Sequence, residues 1–290
     1  MADTYAPVPP PPVDRPLVNL LAAARTPQGE NLRWEEGIAY ESLACGSVLL
    51  RDPCSSTLDG VFVRGDFDDA EGSEASEDRL VRARSVYAEA GYTCSALGWR
   101  ETYRDRALAA LDSELVRAVE RELWAGPIGQ TYTVPNRALT ADATDLTPGT
   151  GAVSPELALG LLEEALAGVY SGVGIIHVPR IATSVLNLGG GSLTRTARII
   201  ETLAGNRVVP GIGYPNTGPG DDAADEGTAW LYVTPMVTVR LGSPELPSES
   251  DLDASFLHRG VNRLEIRPRA LFTVDWDGCD SAFAVQLDLT

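Results

Sequence analysis

Residues 99–124, WRETYRDRALAALDSELVRAVERELW, contain neither proline nor glycine, and the next glycine is Gly126. Tyr103, Ala107, Leu111, Leu115, Ala118 and Glu122 fall on one row at helical spacing, and Leu108, Leu115, Val119 and Leu123 on an adjacent, more apolar row. Arg104, Arg106, Glu114, Arg117, Glu120 and Arg121 are expected on the remaining, solvated circumference. A helix of about 24 residues is roughly 36 Å long at about 1.5 Å per residue, well above the average for globular domains. The rest of the chain must pack around a spine of that length.

Upstream, Pro7, Pro9 to Pro12 and Pro16 make the start extended, an arm expected outside the core. Residues 17–24 read as a short helix stopped by Pro27 and Gly29. Two short apolar runs, Ser47 to Leu50 and Gly60 to Val63, read as a hairpin with a long tip. With the acidic run Asp66, Asp68, Asp69, Glu71, Glu74, Glu77 and Asp78, residues 45–78 read as one protruding excursion. That run lacks the Gly/Asp/Asn spacing of a calcium loop, so a solvated loop is the expectation.

Downstream, Ser154, Pro155 and Glu156 form a helix start, with Leu157, Leu161, Leu162, Ala165 and Leu166 expected on its buried face. Val173 to Val178 reads as a buried strand, followed by a short helix from Pro179 to Leu188. Arg207 to Ile212 and Thr228 to Leu241 read as strands. A closing pair is expected from Val261 to Trp276 and Ala282 to Leu289, joined by the turn Asp277-Gly-Cys-Asp280, with Pro268 marking an edge or a bulge. The fold class is α+β with mostly antiparallel strands.

Composition narrows the chemistry. All 23 basic residues among the 290 are arginine, so a Schiff-base lysine and a P-loop lysine are both excluded. The formal net charge of -18 disfavours a surface that grips phosphate backbones. Gly211-Ile-Gly213 runs into Tyr214-Pro215, which spoils a dinucleotide fingerprint, and Gly189-Gly-Gly-Ser-Leu-Thr-Arg195 reads as a plain loop. With only His177 and His258, His177 reads as a satisfied core histidine and His258 as a loop residue. Trp34, Trp99, Trp124, Trp230 and Trp276 read as packing residues. Cys45, Cys54, Cys94 and Cys279 show no metal-ligand spacing and read as free thiols, with a Cys45–Cys54 bridge open if that segment folds back. No catalytic, cofactor-binding or metal residue is nominated, and no enzyme is expected. No stretch reaches the ~18–20 apolar residues of a membrane span, and the start is not expected to be a secretion signal.

The order of arm, excursion, long helix, α/β region and closing strands resembles the major capsid proteins of tailed phages with the Hong Kong 97-type fold. Cys94 to Trp99 and Ala118 to Gly126 (AVERELWAG) are similar to segments in capsid-like proteins of actinobacterial phages. Gly174 to Pro179 (GIIHVP), Leu203 to Gly213 (LAGNRVVPGIG), Gly227 to Arg240, Asn262 to Thr273 and Phe283 to Val285 resemble the family's strands. The resemblance implies an N-terminal arm at 1–34, an extended loop at 35–80, and a peripheral domain at 81–150 carrying the spine helix. It also implies an axial domain at 151–260 and return strands of the peripheral domain at 261–290. It further implies a shell subunit that self-assembles as hexamers and pentamers around double-stranded DNA, in virions assembled in the bacterial host cytoplasm. Scaffold, portal and cement proteins are the further partners so implied, with no cofactor and no membrane. Another virion component or a nanocompartment shell is the alternative. Deleting residues 1–30 is expected to impair assembly and leave the body folded.

Overall fold

The computed structural model describes residues 13–27, 34–42, 48–50, 61–64, 80–95, 102–188, 193–196, 198–246, 257–258, 263–278 and 282–290. The acidic run, Trp99, Cys45, Cys54 and Cys279 lie outside them, as do Gly189 to Gly191.

The chain begins with the short helix α1, Leu20–Ala23, whose N-cap Asn19 accepts from the Ala22 amide. Four short strands follow: β1 (Ile38–Glu41), β2 (Val48–Leu50), β3 (Val61–Arg64) and β4 (Leu80–Ala83). β2 pairs antiparallel with β3, and β1 with β4, so the expected hairpin forms above a second two-stranded ladder. After β5 (Val86–Glu89) and β6 (Tyr92–Ser95) comes the long helix α2, Thr102–Ala125. It ends at Gly126, where a φ of 57° suits glycine and where a Cβ would lie 2.8 Å from the Gln130 side chain.

A short helix α3 (Leu139–Asp142) and strand β7 (Thr144–Asp145) precede α4, Pro155–Val169. Ser154 caps α4 by accepting from the Leu157 amide, as the sequence predicts. The buried face differs from the expected one. Ala158, Leu159, Leu162 and Leu166 face the sheet, and Leu157 is 49% exposed. The helix is apolar on most of its circumference, so spacing alone does not fix its rotation.

Next come β8 (Ile175–Pro179), α5 (Thr183–Leu188), β9 (Leu193–Arg195), β10 (Ile200–Thr202) and β11 (Arg207–Gly211). The expected strand at Thr228 to Leu241 is two strands, β12 (Thr228–Thr234) and β13 (Val237–Leu241), broken at Pro235-Met236 and sent into different sheets. Proline cannot donate to a ladder. The same physics splits the stretch ending at Trp276. After β14 (Leu257–His258), β15 (Arg263–Ile266) stops before Pro268 and β16 (Arg269–Trp276) begins after it. The last strand is β17, Phe283–Asp288.

The expected closing pair does not form. β16 pairs with β13 and β5, whereas β17 pairs with β12 and β7 inside a seven-stranded sheet ordered β7-β17-β12-β8-β11-β10-β9. The Asp277 turn is thus a crossing between sheets. Ladder partners far away in sequence outcompete the local one because β16 and β17 pack between neighbours, β16 burying six of its eight residues and β17 three of its six. Among the described residues, the ladders between strands are antiparallel except β11 with β8 and β17 with β7, and the isolated bridges of Arg25 to Thr238 and Val153 to Leu287 are parallel too.

Two cores result. One lies between α2, the β13-β16-β5 sheet and one face of the seven-stranded sheet, and holds Leu111, Val119, Leu123, Trp124, Tyr232, Phe272 and Trp276. The other lies beneath α4 and α5 on the opposite face. β8 is buried at every position, as a strand covered on both faces must be.

The arm is not wholly outside this body. Val18, Leu20, Ala23 and Ala24 are buried, and α1 touches both α2 and β11. Arg25 bridges β13 in parallel: its amide donates to Val237 O at 2.8 Å, and Val239 N donates to its carbonyl at 2.9 Å. A deletion of residues 1–30 therefore removes core, contrary to the expectation of an intact body.

Candidate functional site

The spine helix carries its most consequential group at a position the helical pattern assigns to solvent. Glu120 is 0% exposed. It faces inward because α2 crosses the turn after β11, where Gly213 meets the helix backbone. A Cβ on Gly213 would sit 2.4 Å from Arg117 O and 2.8 Å from Glu120 Cβ, so only glycine fits. There the carboxylate accepts three backbone N–H groups: Ile212 at 2.7 Å, Gly213 at 2.8 Å and Leu20 at 3.1 Å. Burial pushes the Glu120 carboxyl up, and the three donors and the charge of Arg180 pull it back. One side chain thus joins arm, spine helix and sheet.

A polar chain runs on from this junction. Tyr214 hydroxyl lies 2.8 Å from His177 Nδ1, and His177 Nε2 lies 2.9 Å from Thr234 Oγ1. Burial holds His177 down to about 3, so the ring is neutral, one nitrogen donating and the other accepting. Burial and then the nearby Glu120 charge raise the Tyr214 hydroxyl. His177 is 0% exposed with both ring nitrogens hydrogen-bonded, as the sequence predicts for a satisfied core histidine. Trp124 packs beside this chain, 4.8 Å from the Tyr214 ring and 4.7 Å edge-on from Tyr232, and donates from Nε1 toward Thr217. Trp276 is equally buried, while Trp34 and Trp230 are half-buried.

A second polar junction lies at β1. Tyr40 on β1 donates to Asp275 Oδ2 at 2.7 Å, and Ser42 donates to Asp277 Oδ1 at 2.7 Å. Arg240 lies 3.4 Å from Asp275 Oδ1, and Arg137 donates to the carbonyl of Gly278 at 2.8 Å. Burial raises Asp275 to about 6 against the pull of Tyr40, Arg240 and Arg137. β1 is thus tied to the β13-β16-β5 sheet.

Neither junction was nominated from sequence. The available signal for Glu120 was its neighbourhood: Val116, Leu123 and Trp124 stand one turn away on the same side. Among the described residues no group of three or more His, Cys, Asp or Glu could hold a metal ion. His258 lies on β14 and Cys94 on β6. No described helix is long and apolar enough to cross a membrane.

No protein-family model and no curated sequence matches the chain. Solved structures do. The capsid of an empty GTA particle aligns over 99% of this chain and 95% of its own, with a TM-score of 0.58 and 13% identity. The capsid of Ralstonia phage GP4 aligns over 100% and 96%, with a TM-score of 0.52 and 10% identity. The fold is the Hong Kong 97-type capsid fold. The holo-SrpI encapsulin complex from Synechococcus elongatus PCC 7942 shares it, with a TM-score of 0.54 at 10% identity over 100% and 94% of the two chains. Within this Hong Kong 97-type architecture, the Glu120 junction fastens α1 to α2 and the sheet, and the Asp275 junction fastens β1 to β16.

Proposed function

We propose that the chain is the subunit of an icosahedral shell enclosing the double-stranded DNA of a tailed phage, and that it catalyses no reaction. The observation that carries this is end-to-end likeness to a phage-type capsid over 99% of this chain and 95% of the other. The subunit acts by geometry: body residues form a tile, while the proline-rich start and the excursion at 43–79 reach neighbouring copies. In this reading α2 is the spine helix, residues 1–34 are the arm and residues 35–80 the extended loop. The seven-stranded sheet with α4 and α5 is the axial domain, which β17 rejoins, and the β13-β16-β5 sheet belongs to the peripheral domain. The net charge of -18 lets enclosed DNA lie against the wall without being gripped. Scaffold, portal and cement proteins are further partners, and the virion is the destination.

A nanocompartment shell is the second reading, favoured by the encapsulin likeness. Sedimentation velocity on the purified full-length chain tests assembly. A megadalton boundary is expected, and a boundary at the 30.8 kDa monomer at every concentration contradicts it. Nuclease-protected double-stranded DNA in particles recovered from the source lysate separates the phage reading from the compartment.

A further inference from the structure

At the carboxyl ends of β8 and β11 the seven-stranded sheet opens into a cleft of two adjoining lobes, about 470 and 420 Å³. Leu17 of the arm, Ile200 and Pro210 give it apolar walls, and Arg180 and Arg195 stand at its rim. Leu17 is 62% exposed, and Ile181, next to Arg180, is 58% exposed. Arg198, in the turn between β9 and β10, is exposed at the same end. Among the described residues no carboxylate lies within ion-pair distance of these three arginines. In a chain of net charge -18 these exposed arginines make the rim of the cleft basic, with the Glu120 carboxylate close enough to feel the charge of Arg180.

The complement lies on the other flank of the same sheet. β12 runs antiparallel to β8, so the loop entering β12 lies at this end too. It presents Asp221, Asp222, Asp225 and Glu226, all exposed. The loop is built. Trp230 N donates to Asn216 Oδ1 at 2.8 Å, Gly218 N donates to Asp222 O at 2.7 Å, and a Cβ on Gly218 would strike the Trp230 ring. Asp225 Oδ2 accepts from Gln286 on β17 at 3.3 Å, which fixes the loop to the β17 side. β12, which the loop enters, is one strand step from β8 and three from β10, about 5 to 14 Å at about 4.8 Å per step. Loop and cleft do not satisfy one another within one chain.

We propose that the cleft between the arm and the β9–β10 hairpin receives the acidic loop at 221–226 of a second copy. The contact is heterologous, since two different surfaces meet, and repetition around an axis closes a ring. Copies of net charge -18 repel at long range, so the patches that bring them together must be locally opposite in sign. Apolar walls exclude water around the arginines and strengthen the pairing. This interface rests on the shell reading above.

The test is a charge swap on the full-length chain. Arg195→Glu/Arg198→Glu makes the rim of the cleft acidic and leaves in place Arg180, whose charge favours the buried Glu120 carboxylate, and Asp222→Arg/Glu226→Arg makes the loop basic. All four residues are exposed, so unchanged circular dichroism and melting are expected for both variants. Each variant alone is expected to associate on the order of tenfold or more weakly than wild type by light scattering. An equimolar mixture is expected to recover association, because each altered cleft then meets an altered loop of opposite sign. Wild-type shells together with unaffected variants overturn the interface and leave the shell reading standing. Variants that lose association and do not recover on mixing overturn the interface as well. A wild-type chain that never leaves the monomer removes the shell reading first and this interface with it.

Discussion

Replacing Glu120 by glutamine tests whether one buried carboxylate fastens the arm. The side chain keeps its size but offers one acceptor oxygen and one NH2 group. In the better orientation that oxygen retains Ile212 and Gly213, and the NH2 faces the Leu20 amide, donor against donor. One buried orphan donor costs about 1–3 kcal/mol, and two charge-assisted bonds made neutral lose about 1 kcal/mol each. Relief of the carboxylate's desolvation returns roughly 1–2 kcal/mol. The net is a destabilisation of about 1–4 kcal/mol. Urea unfolding of dissociated subunits, followed by fluorescence of buried Trp124 and Trp276, measures it. Trypsin adds a local reading, because the Arg25 backbone is tied to Val237 and Val239 and should become cleavable when α1 loosens. Stability within about 0.5 kcal/mol of wild type, with Arg25 equally protected, would refute the reasoning.

Three further outcomes follow from the same structure. Asp275 is raised from 3.8 to about 6, so its contribution to stability is fully present below about pH 3.8 and is lost as pH rises through about 6. Wild type should therefore lose up to about 3 kcal/mol relative to Asp275→Asn between pH 4 and 7.5, measured by urea unfolding at both ends; a pH-independent difference contradicts the buried, ionising carboxyl. Removing residues 1–14 should leave the melting temperature nearly unchanged, whereas removing 1–26, which deletes buried Val18, Leu20, Ala23 and Ala24, should yield an insoluble or unfolded body on expression. Gly213→Ala should cost about 2 kcal/mol or more through collision with the α2 backbone, while Gly160→Ala, with open space around its site in α4, should gain about 0.5–1 kcal/mol in thermal unfolding.

What could be read from sequence was what short-range physics decides. The uninterrupted run to Trp124 gives α2, Ser154 gives the start of α4, and two apolar runs give the β2–β3 hairpin. The Asp277 turn misled because local turn chemistry is silent about which distant strand wins the ladder. Pro235 and Pro268 carried the information that two apparent strands were four, but a proline marks a break without naming the sheet on either side. Glu120 was hidden for a related reason. Among Arg117, Arg121 and Glu114 it looks like one more solvated charge, and the amides that draw it inward belong to Leu20, Ile212 and Gly213, about a hundred residues away in either direction. The cleft and the acidic loop are tertiary features, assembled from strand order.

The central claim is that this chain builds a closed shell from copies of itself. Negative-stain imaging of the purified full-length protein tests it most directly. Closed polyhedral particles of uniform diameter, or the hexameric and pentameric rings from which they form, are the predicted result. Fields of dispersed monomers at every concentration and ionic strength would contradict it.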